Sequence, residues 1–214
     1  MKVKICGIRN ESDAITAIDA GANALGFLIG LTHKAEDGIS VEAAKKIIYN
    51  MPPFVSSTMV THLTDANEIV DIAREINVTT IQIHDYVEPN VLVQIRASLP
   101  GVKLIKTIPV ITENNALELM TEFQNFSDAL LLDTVTNERI GGTGKTHDWS
   151  ISRRIVDSAH IPVILAGGLN PLNIADAIQK VSPYGVDVNS GVEVNGNKDI
   201  LLTRAFVANA LLAI

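Results

Sequence analysis

The chain has a single cysteine, Cys6, so it cannot close an internal disulfide, and a reducing cytoplasm is the compartment expected for it. Basic residues are in deficit, with 17 Lys and Arg against 24 Asp and Glu. The resulting net charge of −7 argues against nucleic acid as a partner, because phosphate backbones need a basic face, and against anionic membrane surfaces. No apolar run approaches the roughly 18–20 residues that span a bilayer. The opening MKVKICGIRNESD turns polar too early for a secretory signal, so none is expected. Linkers, low-complexity tracts and strong repeats are missing too, and 214 residues suit one domain, expected over 1–214. No GxGxxG follows the first apolar run, and no compact HxxEH metal motif occurs.

What is present is alternation. Short aliphatic runs read as strands at 2–6, 24–29, 56–63, 79–84, 103–110, 129–133, 162–167 and 185–190. Several are continuous Val/Ile/Leu stretches, as strands buried on both faces require. Amphipathic stretches separate them. SVEAAKKIIYN (40–50) opens on a Ser suited to capping a helix, and DANEIVDIAREI (65–76) places Ile69, Ile72, Ala73 and Ile76 on one face. NPLNIADAIQKV (170–181) does the same with Ile174, Ala177, Ile178 and Val181. Eight strand–helix units in so short a chain predict an α/β protein, a single-domain (β/α)8 TIM barrel, with a doubly wound open sheet as the rival.

In such a barrel the chemistry lies where strands end. The strand ends carry Cys6-Gly7, GLTHKAEDG, His62, His84-Asp85, Lys106-Thr107, Asp133-Thr134, Gly167-Gly168 and Ser190-Gly191. Gly167, Gly168, Ser190 and Gly191 follow the seventh and eighth strands, the usual place of a phosphate site in this fold, and glycines let backbone N–H groups approach an anion. Cys6 and Asp133 would face one mouth from opposite walls, a thiol able to accept a proton and a carboxyl able to donate one. Taken alone, a lone buried cysteine such as Cys6 is usually a small core residue.

The motifs KICGIRN (4–10), GANALGF (21–27), IQIH (81–84), LLLDT (130–134), GGTGKTHDW (141–149), LAGGLNPLNI (165–174) and GVDVNSGVE (185–193) run the length of the chain. In this order they resemble the phosphoribosylanthranilate isomerase family of tryptophan biosynthesis. The resemblance implies a (β/α)8 barrel without metal or other cofactor that carries out an Amadori rearrangement of an N-phosphoribosylated arylamine. It implies that Cys6 is the general base acting at C2 of the ribose and Asp133 the general acid at the ring oxygen. It also implies a loop over the site at 141–149, in which Lys145 is either a substrate contact or a solvated lysine.

Two features depart from the family's pattern. An arginine associated with the anthranilate carboxylate is expected in the loop after the second strand, and Asp37 stands there. The ends of the third and fourth strands read VTHLTD and QIHD, where the family has Asn and His-Gly. His33, Lys34, His62 and His84 are therefore the expected aglycone-side residues, with His33 or Lys34 able to compensate for the missing arginine. Three readings stay open: this isomerase, the same reaction on another phosphoribosylamine, or a metal-dependent phosphosugar lyase or hydrolase built on His33, His62, His84, Asp85 and Cys6. A non-catalytic phosphosugar-binding module is a fourth. His147 and His160 read as loop and surface residues. The expected partner is a small phosphoribosylated amine, and the chain is expected to be a monomer or a homodimer.

Overall fold

The computed structural model describes residues 1–31, 37–136, 139–140 and 146–213, with backbone only at 135, 136, 139 and 140. Among these residues eight parallel strands alternate with eight helices. The strands are β1 (Lys2–Ile5), β2 (Ala24–Leu28), β3 (Ser56–Thr61), β4 (Thr80–Ile83), β5 (Lys103–Val110), β6 (Ala129–Thr136), β7 (Val163–Leu165) and β8 (Gly185–Val188). Each pairs in parallel with the next, and β8 pairs with β1, so the sheet closes on itself as the expected barrel. The open-sheet rival is excluded by that closure. The helices are α1 (Glu11–Asp19), α2 (Val41–Tyr49), α3 (Ala66–Ile76), α4 (Pro89–Ser98), α5 (Glu113–Phe123), α6 (Trp149–Ser158), α7 (Ile174–Val181) and α8 (Ile200–Leu212). None is long and apolar enough to cross a membrane.

Strand alternation sorts side chains into two shells. Val3, Ile5, Leu25, Phe27, Met59, Ile81, Ile83, Leu104, Ile108, Leu130 and Leu132 point outward into one large core beneath the helices. The inward residues form a smaller stack. Ile105, Ala129, Leu131 and Ala166 pack together on one side, and Cys6, Leu28 and Val60 form a separate cluster. Between them runs a polar belt. The Lys4 ammonium donates to Gln82 (2.9 Å) and Asp187 (3.0 Å), and the Gln82 amide donates to Thr107 (3.2 Å). A buried ammonium is tolerable only with such partners.

The helix boundaries follow their caps. Ser40 accepts from the N–H of Ala43, as its sequence position predicts, and Asp65 accepts from Glu68. In α3, Ile69, Ala73 and Ile76 are buried as expected, whereas Val70 rather than Ile72 completes the buried face. The helix expected from 170 begins at Ile174. Asn170 accepts from the N–H of Leu172 and its own N–H donates to Asn173, so these residues form a turn instead. Strand β6 runs past Asp133 to Thr136, because Val135 and Thr136 pair antiparallel with Ile140 and Arg139.

Candidate active site

Because all eight strands are parallel, their C-terminal ends share one mouth. Cys6 lies one residue beyond β1, and Asp133 sits within β6 rather than at its end. Lys4, Cys6 and Gly7 share a tight corner. Gly7 has φ +73°, and a Cβ there would collide with the Asn189 side chain after β8. Gly26 in β2 leaves the space the thiol occupies: a Cβ at that position would lie 2.7 Å from Cys6 Sγ and 3.0 Å from Lys4 Cε. Gly26→Ala must therefore shift the thiol and the ammonium together. We expect it to fold, at a cost of about 1–3 kcal/mol, and to lose at least about tenfold in kcat because the thiol is displaced. Steady-state kinetics alongside urea unfolding checks both.

The electrostatics of the mouth centre on Lys4 and Asp187. Burial pushes the Cys6 thiol up to about 11, against the pull of the Lys4 and Lys198 ammonium groups and with a push from Asp187. Burial also pushes Asp133 up to about 7. The N–H of Thr134, donating to Asp133 Oδ1 at 2.7 Å, and Lys4 lower it, while Asp187 raises it. Burial works against the Lys4 ammonium, but Asp187 and Cys6 outweigh it and hold its pKa above the ordinary value. In the unliganded site the thiol is thus neutral, and Asp133 is a carboxyl group poised to hold or release a proton near neutral pH. Sequence reasoning missed Lys4, Asp187 and Gly26. Lys4 and Asp187 are charged residues in the middle of the short strands KVKI and GVDV, each between aliphatic neighbours, which is the signal that would have found them.

The glycine loops also come together. Gly167 and Gly168 have φ +84° and +64°, and a Cβ on Gly167 would collide with Thr134. A Cβ on Gly191 would collide with the carbonyl oxygen of Leu169, so the loops after β7 and β8 touch there. Ser190 is exposed and opens a short 3-10 turn through Val192.

On the facing wall, His62 and His84 meet, with ring centroids 4.8 Å apart, and His62 Nδ1 is 2.9 Å from Asp85 Oδ1. His33 and Lys34 lie outside the described residues, as does Lys145. Asp37 is half-buried and accepts from the Asn189 side-chain amide (2.6 Å). It is thereby tied to the end of β8. Lys198 is buried as well, and donates to Asn189 and Glu193. His147 is no free loop residue: it bridges Thr134 (2.9 Å) and Ser152 (2.5 Å), and burial lowers its pKa to about 4, so it acts as a neutral strut between β6 and α6. His160 is exposed. Among the described residues no group of three or more His, Cys, Asp or Glu side chains is arranged to hold a metal ion, which leaves the metal-dependent reading without a ligand set there. A cavity of about 500 Å³ opens among Lys2, Phe54, Ser56, Lys103 and Tyr184, at the N-terminal ends of the strands and away from this mouth.

A closed barrel with proton-bearing groups gathered at its mouth is the make-up of a (β/α)8-barrel enzyme. The chain belongs to the N-(5'-phosphoribosyl)anthranilate isomerase family, whose model matches residues 3–209. It is 41% identical over 213 residues to N-(5'-phosphoribosyl)anthranilate isomerase 2 of Methanosarcina mazei, covering 98% of this chain and 94% of that one. Among solved structures, phosphoribosyl anthranilate isomerase of Thermotoga maritima superposes with a TM-score of 0.88 at 35% identity (99% and 98% of the chains). A phosphoribosyl anthranilate isomerase bound to reduced 1-(o-carboxyphenylamino)-1-deoxyribulose 5-phosphate gives 0.85 at 32% identity (99% and 98%). Monomers generated from the dimeric Thermotoga maritima enzyme give 0.80 at 31% (99% and 98%).

Proposed function

We infer that this chain is an aldose–ketose isomerase that converts N-(5'-phosphoribosyl)anthranilate into 1-(o-carboxyphenylamino)-1-deoxyribulose 5-phosphate in tryptophan biosynthesis. Its family membership supports the reaction. The observation that carries the mechanism is the pairing of a carboxyl group in β6, with a pKa of about 7, and a buried thiol after β1, both under the influence of the same Lys4. Asp133 gives its proton to the ribose ring oxygen as the C1–O bond breaks, and the arylamine nitrogen closes to an iminium at C1. Cys6 takes the C2 proton, leaving an enolamine. Loss of the enol proton and protonation at C1 deliver the ketone. Every step is a proton transfer, so electrons balance within the substrate. The iminium charge beside C2 acidifies the C–H bond and pulls the thiol toward its anion, adding to Lys4 and Lys198.

The phosphate is proposed to rest on the backbone of Gly167, Gly168 and Gly191 with the Ser190 hydroxyl, a reading supported by the positive φ angles and the contact between the two loops. Inorganic phosphate should then inhibit competitively, and at 100 times its Kd raise stability by ~2.7 kcal/mol. If millimolar phosphate neither inhibits nor raises the melting temperature, the loops are misassigned. His62 and His84 are proposed to face the arylamine. The dimeric relative supports a homodimer, which sedimentation equilibrium checks. The net charge of −7 supports the absence of a nucleic-acid partner, and the single cysteine supports a cytoplasmic location. The direct test is turnover of phosphoribosylated anthranilate by the purified protein, with growth of an isomerase-deficient strain without tryptophan as the cellular check.

A further inference from the structure

A general acid is effective only when its proton is aimed at the atom that receives it, and an aspartate carboxyl left to itself turns freely about its last bond. Among the described residues, the hydrogen bond on the Asp133 carboxyl is the one that the Thr134 N–H donates to Oδ1 at 2.7 Å. That bond leaves the acid's proton to Oδ2. The orientation of the carboxyl therefore depends on where Thr134 is held.

Thr134 is buried, and two contacts fix it. The backbone of Gly167 comes so near that a Cβ there would collide with the Thr134 Oγ1 and N. The Thr134 Oγ1 also pairs with His147 Nδ1 at 2.9 Å. The imidazole is anchored in turn, because its Nε2 pairs with the Oγ of Ser152, which is fully buried in α6. A chain of Ser152, His147, Thr134 and Asp133 thus runs from the helix to the acid. Neutral imidazole suits the middle of it, with one N–H to give and one nitrogen to accept. Burial holds the His147 pKa down to about 4, against the opposing effect of Asp148. The ring is therefore uncharged while Asp133, under the influence of Lys4 and Asp187, titrates at about 7. A cationic ring at this place would draw the proton off the acid.

We propose that His147 is a positioning residue for the acid step: by holding the Thr134 hydroxyl it keeps the Thr134 N–H on Asp133 Oδ1 and the carboxyl in its donating orientation. The proposal rests on the isomerase reading above. Two readouts test it, steady-state kinetics across pH and titration of the Asp133 carboxyl carbon by NMR. His147→Phe fills the space of the ring without its hydrogen bonds, and Thr134→Val keeps the N–H without the hydroxyl. Each should lower kcat about tenfold and leave KM and inhibition by inorganic phosphate within about twofold of native. Each should also raise the Asp133 pKa from about 7 to about 8, because a loosened N–H favours the carboxylate less. The lower bend of the kcat/KM profile should move up with it. The double variant should be no worse than the poorer single one, since both break the same link. His147→Asn sets an amide near the Nδ1 position and should restore most of kcat, whereas His147→Gln, whose amide lies nearer Nε2, should not. Thr134→Val carries the test if His147→Phe does not fold. The proposal is overturned if Asp133 titrates as in the native protein in both variants. It is also overturned if KM and phosphate inhibition worsen as much as kcat, or if Gln restores activity as well as Asn, since His147 would then only brace α6. A native protein that does not turn over phosphoribosylated anthranilate would instead reject the isomerase reading, and the carboxyl titration of the variants would still decide whether His147 holds Asp133.

Discussion

Asp133→Asn should lose roughly 10²–10⁴-fold in kcat, the usual contribution of a general acid, and yet be more stable than the native protein at pH 8. The carboxyl is buried and its folded pKa is raised from 3.8 to about 7. The fold thus favours the protonated form. That contribution is fully present below pH 3.8, is lost as pH rises toward 7, and above 7 the native protein carries a buried carboxylate. Three pKa units correspond to about 4 kcal/mol at most. Asn keeps an oxygen to accept from the Thr134 N–H and never ionises. Urea unfolding at pH 4 and pH 8 should show near-equal stability at the first and an advantage for the variant at the second. A site that sacrifices stability for chemistry behaves this way. Cys6→Ala should lose a comparable factor in kcat. Near-native turnover in either folded variant removes that residue from the mechanism.

Lys4→Met should lower kcat/KM by about two orders of magnitude, since each unit added to the thiol pKa removes nine-tenths of the thiolate. It should also cost about 3–5 kcal/mol, because Asp187 is left buried without its 3.0 Å partner. The double variant Lys4→Met with Asp187→Asn separates the two effects. Removing the orphaned charge should restore most of the stability but only a minor part of the activity, because Asp187 raises the thiol pKa less than Lys4 lowers it, whereas a purely structural role for Lys4 predicts that both return in full. The pH profile offers a second readout. With Asp133 near 7 and Cys6 near 11, the form carrying thiolate and neutral carboxyl is a minority of about one in 10⁴ across the interval between them. The native kcat/KM should rise with pH to about 7 and stay level toward 11, and the upper limit should move higher in Lys4→Met.

Much of this was legible in the residues themselves. Alternating aliphatic runs and amphipathic stretches predict a barrel because a strand buried on both faces must be apolar throughout, and a helix covering it must be apolar along one stripe. Strand β5 falls at 103–110 as read, and Ser40 caps α2 as read. Cys6, Asp133 and the glycine pairs stood out because each interrupts an apolar run at the end where a barrel keeps its chemistry. The start of α7 was misread because Asn170 and Asn173 satisfy the local backbone with side-chain bonds, which hydrophobic spacing does not register.

The sequence by itself therefore determined the architecture, the mouth and the candidate acid and base, since these depend on periodicity and on which residue ends which strand. The tertiary structure decided the rest. Lys4 and Asp187 are 183 residues apart, and only closure of β8 onto β1 makes them a pair beneath both Cys6 and Asp133. Asp37 and Asn189 are 152 apart, and their hydrogen bond ties the loop after β2 to the end of β8. His62 becomes a held imidazole only because β3 and β4 lie side by side and bring Asp85 to its ring. Burial sets the proton affinities of the thiol and the carboxyl. Burial belongs to the closed barrel, because no residue carries its dielectric surroundings in its own identity.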